Sequence, residues 1–270
     1  MFEFHKDRKR YFDIQVANAT QYVIPFIEEK FSIQPNMRVL EIGCGEGGVL
    51  KAFVQKGCTG IGVEFDLPRI DNAKTFMPEE IANGKISFIS KDIYLVDAQT
   101  ELNGLFDIII LKDVIEHIHD QAKLIGWMKN YLTTNGIIFF GFPPWYMPFG
   151  GHQQMCGSKL MQLPYIHLLP KKLYRWLLKK NHEAVDDLME IRDTRITIEK
   201  FEKICKQQGY TILHKRHYLL NPIYQWKFGV KPIKQFSLIS AIPFIRNIFT
   251  TCVYYVIKNN HSQKANKQIQ

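Results

Sequence analysis

Val39-Leu40-Glu41-Ile42-Gly43-Cys44-Gly45-Glu46-Gly47-Gly48 is the stretch that decides how this chain folds. An apolar strand runs into a glycine-dense turn, an acidic residue stands just before the turn, and a helix-like segment follows. Glycines at 43, 45 and 47 permit backbone angles and a close ligand approach that side chains would block. Doubly wound α/β sheets bind nucleotides at such strand–turn–helix units, at the carboxyl ends of their strands. The order here is G-x-G-x-G-G, not the dinucleotide pattern G-x-G-x-x-G, and the Gly-Lys-Ser/Thr ending of a P-loop is absent.

Outward from this turn, strand-like and helix-like runs alternate. Tyr11, Ile14, Ala17, Tyr22, Phe26 and Ile27 give an apolar stripe that predicts a helix over 11–30, within an N-terminal helical region 1–36. Strands are predicted at Arg38–Ile42, Thr59–Phe65, Ile86–Ser90, Phe106–Leu111 and Gly136–Phe142, with a helix over 47–56. A second helix, Asp120–Leu132, is expected to stop at Asn135-Gly136. Near-continuous apolar strands such as Ile108-Ile109-Ile110-Leu111 predict a parallel sheet covered on both faces. After Pro143-Pro144 the rhythm breaks, and 143–192, rich in aromatics, Met, Pro and Lys, reads as an inserted cap. It resumes with a helix over Thr197–Gln208, stopped by Gly209, and a strand over Tyr210–Leu220. Residues 221–247 read as a second small insertion and 259–270 as a polar tail. Phe249–Lys258 is apolar, but Pro243, Arg246 and Asn247 interrupt the run before it, and its Thr, Val and Tyr content fits a buried strand better than a membrane span.

Composition bounds the partners. The 270 residues carry a formal charge of +9, with 46% hydrophobic and 23% charged residues, ordinary for a chain with a full core. Basic chains meet phosphates, anionic lipids or acidic metabolites, and a solvated basic surface explains the charge equally well. Five scattered cysteines with no C-x-x-C pair, and a charged start that is no signal peptide, point to the cytoplasm.

The pattern E-x-G-x-G-x-G at Glu41–Gly47 resembles motif I of the class I S-adenosylmethionine (SAM) methyltransferases, and further motifs follow in family order across roughly 37–142 and 196–257. The resemblance implies a Rossmann-like seven-stranded, mostly parallel sheet ending in an antiparallel hairpin, here supplied by Tyr210–Leu220 and Phe249–Ile257. It implies that Gly43 and Gly45 approach the methionine part of SAM, with Glu41 near the cationic end. Glu64, closing Ile61–Asp66, would take the two ribose hydroxyls, with Phe65 beside it. Two acceptor oxygens on one ionised carboxylate suit two neighbouring donors. Asp92, in Ser90-Lys91-Asp92-Ile93, would accept from the adenine amine while Ile93 packs on the ring. Lys112, at the end of the fourth strand, would complete the donor pocket.

Methyl transfer from a sulfonium is an in-line displacement, so the protein aligns donor and acceptor and removes a proton where needed. His117 and His152, the latter in the glycine-flexed Phe149–Gln154 loop, are the candidate bases. Asp113-x-x-Glu116-His117 is also similar to the E-x-x-E-H element of ubiquinone-pathway O-methyltransferases and small-RNA 3′-terminal methyltransferases. In those families the element binds a divalent metal, for which Asp113, Glu116, His117 and His152 would be the ligands. The alternative, a helix start lining the SAM pocket, is favoured because the first position is Asp and E-H is common here without metal. Pro143-Pro144-Trp145 does not match the N-P-P-Y motif of amino-methylating enzymes, so O-methylation is the expectation, with N- and C-methylation left open. Tyr11, Tyr22, Trp145 and Tyr146 are candidates for an aromatic acceptor pocket, or else simply core. The basic amphipathic Pro170–Lys180 can touch anionic lipid or present a solvated face. The expected acceptor is a small-molecule, lipid-linked or glycan hydroxyl. An RNA methyltransferase is weaker without an appended RNA-binding module, no DNA partner is expected, and a SAM-binding sensor is the non-enzymatic alternative.

Overall fold

A computed structural model describes residues 7–97 and 100–260. The charged start up to residue 6, and the polar tail from 261 onward, lie outside the described residues. Among the described residues eight strands form one sheet: β1 Arg38–Ile42, β2 Thr59–Glu64, β3 Ile86–Ser90, β4 Phe106–Lys112, β5 Leu132–Phe142, β6 Tyr210–Leu220, β7 Ile233–Lys234 and β8 Cys252–Asn259. Their order is β3-β2-β1-β4-β5-β8-β6-β7. The first five run parallel, and β8 is antiparallel to both β5 and β6. This is the class I arrangement with one addition, the two-residue β7 on the end of β6. The expected terminal hairpin is present, and the apolar run at 252–259 is a central strand. Among the described residues no helix is long and apolar enough to cross a membrane.

Side chains alternate across the sheet, as a two-residue period demands. Leu40, Ile42, Ile109, Leu111, Ile138 and Phe140 enter one core. Val39, Ile108, Ile110, Ile137 and Phe139 enter the other. Helices α4 Gln121–Trp127 and α7 Ile198–Gln207 cover the first face through Leu124, Ile125, Phe201 and Ile204. The second face is covered by α1 Arg8–Asn18, α2 Gly48–Gln55 and the turn that follows α1, through Phe12, Val23, Val49 and Phe53. The helix expected over 11–30 is broken by a π-helical turn at Ala19–Val23 before Ile24–Glu28. Pro25 accounts for the break, since it lacks an N–H and its ring crowds the carbonyl four residues earlier.

One boundary differs from expectation. The helix after Asp120 ends at Trp127, a 3-10 turn spans Met128–Tyr131, and β5 already starts at Leu132, paired with Phe106. Asn135-Gly136 is therefore no helix stop. Gly136 lacks the positive φ such a stop uses, and the β-branched Thr133 and Thr134 extend the chain instead. Gly209 does end α7 with φ +67.

Residues 143–192 build a small core of their own. Helices α5 Lys171–Lys180 and α6 Val185–Thr194 enclose Trp145, Met161, Tyr174, Leu178, Leu188 and Met189. The chain from 221 to 251 leaves the carboxyl end of β6 and returns to the start of β8. It therefore lies at the edge of the sheet where β1, β4 and β5 also end.

Candidate active site

The side expected to hold the donor is built from strand ends. Gly43, Gly45 and Gly47 all have positive φ. A Cβ at Gly43 would lie 2.5 Å from Val114, and one at Gly45 2.3 Å from the Arg69 guanidinium, so side chains there are excluded by both strain and space. Glu64 is buried; its Oε2 accepts from Gly45 N–H at 3.0 Å and its Oε1 from Asp66 N–H at 3.2 Å. Glu41 is also buried and accepts from Leu50 N–H at 3.0 Å, which places it on the first turn of α2. Burial pushes its carboxyl up to about 8, against the pull of that bond and of Lys112. Asp92 caps the short turn Ile93–Leu95 through Tyr94 N–H at 2.9 Å. Ile93 packs into the core behind it, while Phe65 is 79% exposed.

Sequence reasoning missed a buried charge cluster here. Glu46 is fully buried and pairs with Arg69 Nη2 at 3.1 Å and Arg8 Nη1 at 3.3 Å. Arg69 sits in the first turn of α3 Leu67–Phe76, so its guanidinium reaches over Gly45 to within 3.7 Å of Glu64. The available signal was Leu67-Pro68-Arg69, where proline marks the start of a helix and so places Arg69 in its first turn, next to the end of β2.

The side expected to face the acceptor begins at the end of β4. Lys112 Nζ donates to Asp113 Oδ2 at 2.5 Å. Asp113 has φ +57, a strained angle for a non-glycine residue, anchored by its N–H to Gly141 O at 2.7 Å. Burial raises the Asp113 carboxyl, and Lys112 more than offsets this, leaving it below the usual range. The turn Ile115–His117 then buries Glu116, whose two carboxylate oxygens have no hydrogen-bond partner among the described residues. Burial, with Asp113 adding to it, holds Glu116 well above the usual carboxylate range.

Glu116, His117 and His152 each offer a ligand atom within 4.8 Å of the others. The two rings face at 5.1 Å between centroids. Burial depresses both imidazoles, His152 to about 4, so both are neutral near pH 7. Of the four residues read as metal candidates, three converge, and Asp113 turns to Lys112 instead. An orphaned buried carboxylate beside two neutral imidazoles is a donor set that fits a divalent cation.

His152 arrives there by a device that spacing alone did not reveal. Gly150 and Gly151 pass so close to Trp145 O and His167 that a Cβ would lie 2.1 and 2.4 Å away. His152 itself has φ +55. The loop is fixed from behind by His167, whose Nε2 lies 2.9 Å from Trp145 O and whose Nδ1 lies 3.0 Å from Gln153 Nε2. With Nε2 donating to the carbonyl, Nδ1 accepts from the amide.

The four aromatic candidates separate. Tyr11 lies among Lys112, Asp113, Arg69 and Glu46, with Lys227 Nζ 5.0 Å from its ring centre. The Tyr22 hydroxyl donates to Gln225. Trp145 is core to the 143–192 cluster, its backbone N–H donating to Ile196 O at 2.8 Å, and Tyr146 beside it is 39% exposed. Lys227, another residue the sequence did not single out, is depressed to about 8 by burial and faces Asp113. An indentation of about 420 Å³ beside Arg38, Gly60 and Lys85 opens at the amino ends of β1–β3, away from every group above.

Comparison with known proteins agrees with this fold. A family model described as "Methyltransferase domain" matches residues 15–215, well over half of the chain. A ubiquinone biosynthesis O-methyltransferase of Histophilus somni is 23% identical over 145 residues, covering 51% of this chain and 60% of that protein. The protein of the same name in Coxiella burnetii is 29% identical over 119 residues, covering 43% and 47%. The chain thus spans about half the length of the curated relatives it matches. A solved magnesium protoporphyrin IX methyltransferase of Synechocystis PCC 6803 with bound S-adenosylhomocysteine (SAH) aligns with TM-score 0.54 at 15% identity, over 95% of this chain and 94% of that one.

Proposed function

We infer the acceptor chemistry from one premise: the chain belongs to the class I SAM-dependent methyltransferase family. It is a methyltransferase with SAM as its methyl donor. We propose that the methyl group goes to the hydroxyl of a small molecule, lipid-linked precursor or glycan, under a cap formed by 143–192. The observation that carries this reading is the convergence of Glu116, His117 and His152 beside the end of β4. The names of the relatives, O-methyltransferases of ubiquinone biosynthesis, support a hydroxyl rather than an amine. The free, buried cysteines are consistent with a reducing, cytoplasmic setting.

In this reading Gly43, Gly45, Glu64 and Asp92 hold the donor, with Glu41 and Lys112 behind it and Phe65 and Ile93 on its adenine side. The acceptor oxygen attacks the methyl carbon, the carbon–sulfur bond breaks, and SAH leaves as a neutral thioether. The hydroxyl proton passes to His117 or His152, both neutral and able to accept it. Tyr11, Tyr22 and Tyr146 border the acceptor, and Trp145 shapes that wall from behind. Alternatively, a divalent cation held by Glu116, His117 and His152 would lower the pKa of an acceptor hydroxyl and fix its position, with the two imidazoles then serving as ligands and the proton passing to solvent.

Labelled SAM offered with quinol and phenol acceptors, lipid-linked glycans and total RNA tests the reading. The expected result is O-methylation of a small or lipid-linked acceptor, lost in Glu116→Gln and His152→Asn. Label confined to RNA, or to nitrogen, overturns it. SAH binding with no labelled acceptor in any pool leaves the sensor reading in its place.

A further inference from the structure

Residues 230–249 are folded inside out. Gln235, Arg246, Asn247 and Thr250 are buried, while Phe236, Leu238, Phe244, Ile245, Ile248 and Phe249 are exposed, Phe236 at 61%, Leu238 at 76% and Phe244 at 67%. The inversion is held by specific bonds. Arg246 donates to Glu199 at 2.8 Å and to Glu202 at 2.9 Å, Asn247 Nδ2 donates to Glu199 at 2.7 Å, and Phe244 N–H donates to the same carboxylate at 2.9 Å. Phe244 is thereby fixed at φ +64, an angle a bulky side chain rarely adopts. Backbone strain and charge-assisted bonds are spent here on holding apolar side chains toward solvent. Monomeric proteins seldom expose contiguous apolar faces of this kind without a partner.

The charges say which partner. No Asp or Glu follows Glu202 in the chain, and none occurs between 121 and 182. Glu199 and Glu202, the acids under the face, are taken up by Arg246, Asn247, Lys215 and Tyr255. Lys231 and Lys234 stand exposed within the apolar row. A second copy of the chain would set lysine against lysine on a molecule of formal charge +9. An anionic bilayer offers apolar depth and negative headgroups together. Position agrees: β7 extends the active-site edge of the sheet, Tyr165 Oη donates to Ile248 O at 3.4 Å, and the same excursion carries Lys227 toward Asp113.

We propose that this face docks the protein on anionic membrane surfaces, with the acceptor side of the active site turned toward the bilayer. The proposal stands apart from the acceptor reading above, since vesicles without acceptor suffice to test it.

The full chain is sedimented with vesicles of phosphatidylcholine alone and of phosphatidylcholine with phosphatidylglycerol. Binding to the anionic vesicles is expected, with a partition coefficient at least ~10-fold above that for neutral ones. Phe236→Ser with Leu238→Ser should lower it by ~10-fold or more, as loss of two inserted apolar side chains requires, with SAH binding retained as the check on folding. Lys231→Gln with Lys234→Gln should erase most of the preference for anionic lipid. No binding by the unaltered chain, or equal binding by Phe236→Ser/Leu238→Ser, overturns the proposal. So does concentration-dependent self-association in sedimentation velocity, abolished by the same pair of substitutions without any vesicle binding.

Discussion

On the donor side the carboxylates close on nearby backbone: Glu41 on Leu50 N–H, Glu64 on Gly45 and Asp66 N–H, Asp92 on Tyr94 N–H. On the proposed acceptor side Glu116 has no partner for either oxygen among the described residues, and its companion His152 comes from a loop held in place by His167. The contrast separates two jobs. In the proposed reading the donor groups are preorganised by the turn that carries them, whereas the acceptor cluster leaves buried carboxylate oxygens, hydrogen-bond acceptors and metal ligands, for something that is not backbone. A buried unpaired carboxylate costs a few kcal/mol, and native structures keep such a group where chemistry uses it.

The contrast breaks most sharply if the two sides fail independently. Glu116→Gln or His152→Ala should lower kcat by roughly 100- to 10,000-fold, the range for a lost acid–base or metal-binding group, while the SAH Kd from calorimetry stays within about twofold. Equal losses in both would show one joint site and end the division. Glu64→Ala should do the converse. In the proposed reading Glu64 accepts from the two ribose hydroxyls, and hydrogen bonds to a carboxylate are each of the order of 1.5–3 kcal/mol, so SAH should bind at least ~100-fold more weakly. At saturating SAM, kcat should change little.

The same contrast explains what could be read from sequence. Glu41, Gly43, Gly45 and Glu64 lie within one β–α–β unit, and local spacing fixes their placement. The β8–β6 hairpin was legible because Val253–Ile257 is apolar without interruption, as a central strand must be. Asn135-Gly136 misled because a glycine signals a stop only where φ is positive, and pairing with β4 set that angle. Arg69 over Gly45, Lys227 beside Asp113, and His167 behind His152 are contacts between distant segments. Their residue types are ordinary, and no periodicity announces them. The inverted face at 230–249 was hidden for the same reason: its apolar residues look like core until Glu199 and Glu202 are seen to hold the chain the other way round.

The positioning role of His167 gives a smaller effect with a defined pH dependence. Burial depresses its imidazole from 6.5 to about 4. A histidine depressed by folding binds its proton more readily when unfolded. Its contribution is therefore fully present above pH 6.5 and is lost as pH falls toward 4. The shift corresponds to at most about 3 kcal/mol. In His167→Leu, the fall in urea midpoint between pH 7 and pH 4.5 should be shallower than in the unaltered chain. Its kcat should also drop by ~10-fold as the 148–153 loop loosens, with SAH affinity unchanged. An unaltered acid limb would remove His167 from the account.

Arg69 provides the finest test of how complete the donor side is before SAM arrives. Its guanidinium lies over Gly45, where the resemblance places the methionine part of the donor, and pairs with Glu46 and Glu64. Two roles pull in opposite directions. If the guanidinium receives the SAM carboxylate, Arg69→Ala loses a charge-assisted pair, and SAH binds ~10-fold or more weakly. If it only neutralises Glu46, the change is small, because Arg8 stays at 3.3 Å from that buried carboxylate. The partly exposed Arg69 pair is then worth about 1 kcal/mol of stability. The second outcome is expected: SAH Kd within ~5-fold, with a drop in Tm of a few degrees. Glu46 already takes up the Arg69 fork through Nε and Nη2, which leaves Nη1 directed at Glu64 rather than at an incoming carboxylate.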